Sequence, residues 1–163
     1  MISDTPFAIP RGNNRRIPAP TVPFYHLYDL QIRFNDIDIL GHINNSVYLS
    51  FFDLGKAEYF VSALGQKMEI GKVGVAIVNI NCSFFSPSYF NEPLQVVTAI
   101  TSMSVHSFKM EQRIFNPATG DVKCIAHSVL AGFDPSTATS QPLPAEFIAR
   151  AEAFEHRSLV VKK

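Results

Sequence analysis

Apolar and polar residues alternate in several segments of the chain, and this two-residue period is typical of β-strands with one buried face. The alternation is clearest from Leu94 to Ile100 and from Lys123 to Val129. Strands are predicted in a first, less regular segment and in four later ones, namely 24–34, 75–85, 94–105, 108–115 and 122–133. The short connections between the last four predict that they pair in chain order, as an antiparallel meander.

The segment between the first and second predicted strands follows a helical period instead. Its apolar residues recur every three or four positions, at Val47, Phe51, Leu54, Val61 and Leu64. Asn44 to Ser46 suit the N-cap of such a helix, and Gly65 suits its end. Because further aromatic residues lie on its other faces, the helix is predicted to be buried within the protein or against a partner. A second, short helix is predicted over 144–155.

This order of elements, without an internal repeat, predicts a single α+β domain in which one helix covers an antiparallel sheet. The domain is predicted to span 21–157 of the 163 residues, with a short tail at 158–163. Residues 1–20 are predicted to form an extended arm, because prolines interrupt them and few are apolar. A partly disordered leader is the alternative.

Composition narrows the possible functions. Basic and acidic residues balance at 14 each, so no net charge favours a nucleic-acid partner. Cys82 and Cys124 lie in apolar or alternating segments and are predicted to be reduced, buried thiols. No apolar run is long enough for a secretory signal or a membrane span, which predicts a cytoplasmic protein without a membrane partner. No histidines have the spacing of a helical zinc site, and neither a metal nor another cofactor is expected.

The loop before the long helix, DIDILGHINN, holds the main candidates for chemistry. Asp36 and Asp38 are two residues apart, so both would project to one side of an extended segment. The first backbone N–H groups of the helix lack partners within the helix and suit a carbonyl oxygen that gains negative charge. A neighbouring carboxylate can attack a thioester directly or activate water. The alternative is that these polar residues only satisfy turns and cap the helix.

Residues 33–56, RFNDIDILGHINNSVYLSFFDLGK, resemble the signature of hotdog-fold proteins of the 4-hydroxybenzoyl-CoA thioesterase-like family. The stretch VGVAIVNINCSFFSP, from Val73 to Pro87, is similar to the next strand of the family's bacterial acyl-CoA thioesterases. The resemblance covers about residues 25–155. It implies the hotdog fold, in which a five-stranded antiparallel sheet wraps a long central helix, and two chains that pair edge to edge with active sites at their interface. A homodimer or homotetramer is therefore expected.

The resemblance places the family's catalytic aspartate at Asp38, three residues before Gly41. It gives the backbone N–H of Asn45 a role in holding the thioester oxygen. The other residues of this segment predicted to contact substrate are Gly41, His42, Asn44 and Tyr48. Many family members carry a Glu and an Arg in the first turns of the helix, whereas this chain has Asp53 and Lys56, which make a bidentate pair less readily.

Several candidates have competing interpretations. His42 is either a base or a structural residue of the motif, and His127 is expected to fill a core or interface position rather than a ligand site. Asn79 and Asn81 share one face of a strand. They either border the active site across the dimer, so that Asn79 contacts substrate, or form a polar face against neighbouring strands.

The predicted function is hydrolysis of a fatty or aromatic acyl-CoA to the free acid and CoA, with CoA as part of the substrate. Two alternatives stay open on the same scaffold: a non-catalytic protein that binds or senses acyl-CoA, and a hydratase or dehydratase. The absence of a G-x-S-x-G motif excludes the usual serine-hydrolase route.

Overall fold

The computed structural model describes residues 1–12, 14–65 and 74–161. Val73, where the resemblance to the second strand begins, and the last two residues of the tail lie outside these ranges. In the described residues, no helix is sufficiently long and apolar to cross a membrane.

Five strands form the main antiparallel sheet, at the places where the alternation predicts them. They are β1 (His26–Leu30), β2 (Val75–Phe84), β3 (Leu94–Met103), β4 (Ser107–Phe115) and β5 (Val122–Asp134). A short β6 (Thr139–Ser140) pairs with the end of β5. Strand β1 is shorter than predicted, because the chain leaves the sheet after Leu30 and makes a 3-10 turn at Phe34–Asp36.

The strands lie in the order β1-β3-β4-β5-β2, so the predicted meander of the last four is wrong. Strands β3, β4 and β5 follow one another as expected, but β2 pairs with β5 rather than with β3. Residues 85–93, which connect β2 to β3, exceed the length of a hairpin loop and cross to the far side of the sheet. As a result β2 is an edge strand.

The long helix α1 (Asn45–Glu58) continues through a π-helical turn at Tyr59–Ala63 and ends before Gly65, which has a φ of 61°. It packs on the inner face of the sheet, where Phe51 and Phe52 meet Val96 and Ile114 in one buried cluster. The helix approaches β3 closely at Gly55, since a Cβ there would lie 2.7 Å from Val96 Cγ1. The second helix, α2 (Ala145–Phe154), packs with the end of α1 in another cluster.

The N-terminal arm covers the outer face of the same sheet. The N-terminal ammonium of Met1 donates a hydrogen bond to Leu27 O at 2.7 Å, and an isolated antiparallel bridge joins Ile2 to His26. Apolar arm residues then pack against a buried outer cluster that includes Phe24, Val97 and Ile125. The contributing arm residues are Phe7, Ile9 and Ile17, followed by Val22 just before the first strand.

A buried ion pair fastens the arm to β4. Arg113 and Glu111 have no exposed surface, and Arg113 Nε donates to Glu111 Oε1 at 2.7 Å. The guanidinium also donates to the backbone carbonyls of Pro18, at 2.8 Å, and Ala19, at 2.9 Å. The Thr21 hydroxyl donates to the second carboxylate oxygen of Glu111. Arg113 and Glu111 lie on a sheet face that solvent would reach if the arm were absent. The arm covers this face and buries both side chains.

Candidate active site

Asp36 closes the loop that leads into α1. Its carboxylate is 2% exposed and accepts from the backbone N–H of Arg33 at 2.7 Å and from Arg33 Nη2 at 2.9 Å. Its backbone carbonyl accepts from Asn44 N at 2.9 Å. Both ends of the loop are thus held together, and the Asp36 carboxylate is fully engaged in structure.

Asp38 occupies a different environment from Asp36, although only the extended residue Ile37 separates them. That both carboxylates project to one side stays a prediction, but the two differ in burial, since Asp36 is buried and Asp38 is not. Asp38 is half-buried, and its Oδ1 accepts from Leu40 N at 2.8 Å. Its backbone carbonyl accepts from Gly41 N at 3.0 Å, in a turn that the positive φ of Gly41, 79°, completes. Among the described residues, no group donates to Asp38 Oδ2.

The loop doubles back on itself before the helix begins. Asp38 N donates to His42 O at 3.1 Å, and an antiparallel bridge joins Ile37 to Ile43. His42 is half-buried, with its Nδ1 3.3 Å from Ile43 O. The doubled loop therefore holds Asp38 opposite His42, directly before the first turn of α1.

The start of α1 offers a backbone donor to solvent. Asn44 is the N-cap, and its side chain accepts from Ser46 N at 2.9 Å and from the Ser46 hydroxyl at 2.8 Å. Asn45 is exposed, and within the described ranges its backbone N–H has no acceptor. Free N–H groups at a helix start favour a developing negative charge. The predicted role of Asn45 thus has the donor it requires.

Tyr48 is placed inward. It is 2% exposed, and its ring packs edge-on against that of Phe84, with the two ring centroids 5.4 Å apart. Its hydroxyl donates to Ser88 Oγ at 2.8 Å. Burial raises the pKa of Tyr48 to about 12, so the hydroxyl remains a proton donor at neutral pH. In this chain Tyr48 joins the first turn of α1 to the segment that follows β2.

Ser88 is a site residue that the sequence interpretation missed. It is fully buried, and its carbonyl accepts from Ile43 N at 2.8 Å in addition to the bond with Tyr48. Buried Lys123 holds the same segment, donating to Pro87 O at 2.9 Å. The only sequence signal was the Ser-Pro-Ser turn after β2, which does not indicate contact with a loop some forty residues earlier.

The pair that departs from the family pattern does form. Lys56 Nζ lies 2.8 Å from Asp53 Oδ1, with Lys56 buried and Asp53 exposed. The two residues lie one helical turn apart and form a single ion pair rather than a bidentate one. It holds the buried ammonium of Lys56 on the side of α1.

Asn79 lies away from this loop within the chain. It is exposed on the edge strand β2, beside the irregularity in pairing between Ile77 and Asn79. Because Ile80 and Cys82 pack toward α1, Asn79 projects to the outer face. Asn81 shares that face and pairs with His127, whose 52% exposed side chain excludes the core position and leaves the interface position a prediction.

The two cysteines are free thiols, with Cys124 buried and Cys82 half-buried. Burial raises the pKa of both thiols, so they are poor nucleophiles near neutral pH. In the described parts of the chain, no three histidine, cysteine, aspartate or glutamate side chains form a group able to hold a metal ion.

Comparison with solved structures identifies the fold. A thioesterase from Thermus thermophilus, complexed with coenzyme A and Zn, is 23% identical with a TM-score of 0.74, over 82% of this chain and 96% of that one. A 1,4-dihydroxy-2-naphthoyl-CoA thioesterase from Synechocystis is 21% identical with a TM-score of 0.69, over 77% of this chain and 94% of that one.

A third similar structure is an Asp-to-Asn mutant of 4-hydroxybenzoyl CoA thioesterase complexed with 4-hydroxybenzoyl CoA. It is 20% identical with a TM-score of 0.69, over 77% of this chain and 96% of that one. A search of curated protein sequences found no match.

The curved antiparallel sheet around one long helix therefore defines a hotdog-fold protein. The family model of the thioesterase-like superfamily matches residues 32–151, and the chain belongs to that superfamily. This membership confirms the resemblance seen between residues 33 and 56 and the predicted fold. It also supports thioester hydrolysis as the activity of the chain.

Proposed function

We propose that this protein hydrolyses an acyl-CoA thioester to the free acid and CoA, with Asp38 as its catalytic carboxylate. The observation that carries the proposal is the contrast between the two loop aspartates. Asp36 has its carboxylate buried in an ion pair, whereas Asp38 has one oxygen fixed by Leu40 N and the other available. A fixed but incompletely bonded carboxylate is what a nucleophile or a general base requires.

Both roles of Asp38 are compatible with this geometry. As a nucleophile, its free oxygen would attack the thioester carbonyl; the C–S bond then breaks, CoA leaves as a thiolate that takes a proton from water, and a second water hydrolyses the mixed anhydride to the free acid and regenerates the Asp38 carboxylate. As a general base, it would take a proton from the attacking water; the tetrahedral species then breaks its C–S bond, and the departing CoA sulfur accepts the proton. In either route the carbonyl oxygen becomes negative, and the free N–H of Asn45 at the positive end of α1 would stabilise it.

The acyl group is proposed to be apolar, either fatty or aromatic. Ile39 and Leu40, which directly follow Asp38, are 101% and 72% exposed. Phe34, at the start of the preceding 3-10 turn, is 81% exposed. Exposed apolar side chains beside a polar loop are unusual in a single soluble chain and mark a surface for a ligand or a partner. The similar structures named for 4-hydroxybenzoyl and 1,4-dihydroxy-2-naphthoyl groups support an aromatic option.

We also propose that the chain acts as a cytoplasmic homodimer or homotetramer. Strand β2 is at the sheet edge, and its apolar Ile77, Val78 and Phe84 are 44%, 60% and 42% exposed. An exposed apolar edge strand favours pairing with another chain. Edge-to-edge pairing would bring Asn79 of one chain toward the partner, which is the geometry that its predicted substrate contact requires.

The proposal is tested by following free thiol when purified protein is mixed with acyl-CoAs from acetyl to palmitoyl and with 4-hydroxybenzoyl-CoA. A blank without substrate corrects for Cys82 and Cys124. Asp38→Asn is expected to lower kcat by roughly 100- to 10,000-fold with little change in KM, because the carboxylate acts in the transition state. The fold should be retained, since the amide oxygen can still accept from Leu40 N.

Asp29→Asn is the matched control. Asp29 is an exposed aspartate that also accepts one hydrogen bond, from Gln95 Nε2 at 2.8 Å, and its variant should keep full activity. Hydrolysis that continues unchanged in Asp38→Asn would remove Asp38 from the mechanism. Tight acyl-CoA binding without thiol release by the folded wild type would favour a binding protein instead.

A further inference from the structure

A groove of about 480 Å³ opens on the outer face of the sheet, where the arm meets the ends of β2 and β5. Arg16 of the arm, residues 83–85 of the β2 end and His127 of β5 contribute to its walls. Its volume is within the range of small-molecule sites. One wall comes from the arm, which lies outside the family match at 32–151. The groove is thus built partly from a segment outside the part of the chain that the family model matches.

The groove adjoins the candidate active site through one side chain. Phe84 lines the groove, and its ring also meets that of Tyr48 at 5.4 Å. Tyr48 is in the first turns of α1, and its partner Ser88 binds the backbone of Ile43 at the end of the Asp38 loop. Because β2 is an edge strand, a long, flexible substrate in the groove would reach the Asp38 loop by passing around this edge at Phe84.

Arg16 provides a positive charge at the groove. It is exposed, and among the described residues no carboxylate lies within ion-pair distance of it. Its backbone is held by a turn in which Arg16 N donates to Asn14 Oδ1 at 3.0 Å and Ile17 N donates to Asn14 O at 3.0 Å. Ile17 then packs on the outer cluster. The cation is therefore attached to a fixed segment.

His127 supplies a second donor, and the charges beneath it are balanced. Its Nε2 lies 3.7 Å from Glu111 Oε2, and its side chain is 52% exposed. Glu111 is buried and pairs with buried Arg113 at 2.7 Å. The charge of the Glu111–Arg113 pair sums to zero, so the charge of Arg16 is not cancelled from below. Phe85 and Ile125 add apolar surface beside these donors.

We propose that this groove binds the nucleotide end of coenzyme A, with Arg16 contacting its phosphates and His127 donating a further hydrogen bond. The apolar wall suits the adenine ring, while the uncharged remainder of the coenzyme passes Phe84 toward Asp38. A guanidinium is well suited to phosphate, because its planar donors bind two oxygens together. This inference rests on the proposed acyl-CoA substrate and names the part of the chain that recognises it.

The test separates nucleotide binding from hydrolysis by using adenosine 3′,5′-bisphosphate, which contains no thioester. Calorimetric titration of the whole chain is expected to show binding that Arg16→Ala weakens roughly three- to tenfold, as for a partly exposed charge-assisted contact. Arg11→Ala is the matched control, since Arg11 is an exposed arm arginine that does not line the groove, and it should bind as the wild type does.

A kinetic comparison gives a second reading. Arg16→Ala should raise KM for an acyl-CoA by the same factor and leave kcat unchanged. It should have no effect on the corresponding acyl-pantetheine thioester, which lacks the nucleotide. His127→Ala should produce the same pattern with a smaller change.

The inference is overturned if Arg16→Ala binds the bisphosphate as tightly as the wild type, if Arg11→Ala weakens it equally, or if the folded wild type does not bind it. Failure of the proposed function looks different. In that case bisphosphate binding would depend on Arg16 while no acyl-CoA released thiol. Hydrolysis that depends on Asp38 but not on Arg16 would retain the enzyme and remove the nucleotide site.

Discussion

The buried Arg113–Glu111 pair offers a sharp test of how the arm is held. Arg113→Met nearly conserves the side-chain volume but leaves the Glu111 carboxylate without its cation. Both side chains have no exposed surface, and breaking such a pair from one side costs about 3–5 kcal/mol. Donation from the Thr21 hydroxyl to Glu111 persists, which places the expected loss near the lower end.

Urea unfolding measures this loss directly from the midpoint and slope. Limited trypsin digestion adds a local reading, because Arg113 also binds the carbonyls of Pro18 and Ala19. Release of these carbonyls should accelerate cleavage after Arg15 and Arg16, which lie just before them in the arm.

The double variant Arg113→Met, Glu111→Leu distinguishes an unpaired charge from lost packing. Removing both partners of a buried pair is often neutral, so this variant should recover most of the stability. A loss below about 1 kcal/mol in the single variant would refute the reasoning, since it would mean that Glu111 is not buried. A double variant as unstable as the single one would refute it too.

Two further predictions concern the inner face of the sheet. Gly55→Ala should lower the free energy of unfolding by about 1–3 kcal/mol, because the new methyl group would lie 2.7 Å from Val96 Cγ1. Adding Val96→Ala should recover part of this loss. An unchanged midpoint of urea unfolding in Gly55→Ala would contradict the close approach. Burial, with the nearby N-terminal ammonium, lowers the pKa of His26 from 6.5 to about 4. As the pH falls below 6.5, the unfolded chain takes up a proton that buried His26 resists, so the free energy of unfolding should fall by up to about 3 kcal/mol by pH 4 and be unaffected above pH 6.5. His26→Phe should therefore lose less stability than the wild type between pH 7 and 4.5, and identical pH profiles would exclude this role.

The elements of the fold could be predicted from the sequence because their periods are local. The strand alternation near Leu94 and the helical spacing from Val47 to Leu64 depend only on which face of each element is buried. The helix start at Asn44 and its end before Gly65 were equally visible, since capping needs particular residue types at particular positions. Motif resemblance then supplied the family, which the match over residues 32–151 confirms.

The candidate site was predicted only in part. The sequence singled out the loop and Asp38, but it did not predict that Asp36 is buried and bonded while Asp38 keeps a free oxygen. Asp36 differs from Asp38 because Arg33 binds its buried carboxylate and Asn44 binds its carbonyl, from the two ends of the loop. Such contacts join residues that no local period relates.

Pairing across the molecule was decided by tertiary structure alone. Strand β2 lies beside β5 because residues 85–93 are long enough to cross the sheet, although chain order favoured β3. Glu111 and Arg113 stand at positions that an uncovered sheet would expose, and only the arm across that face makes them a buried pair. The sequence by itself determined the local elements, because burial of one face repeats at their own period. Tertiary structure decided strand order, arm docking and the contrast between the two aspartates, because each depends on groups brought together from distant parts of the chain.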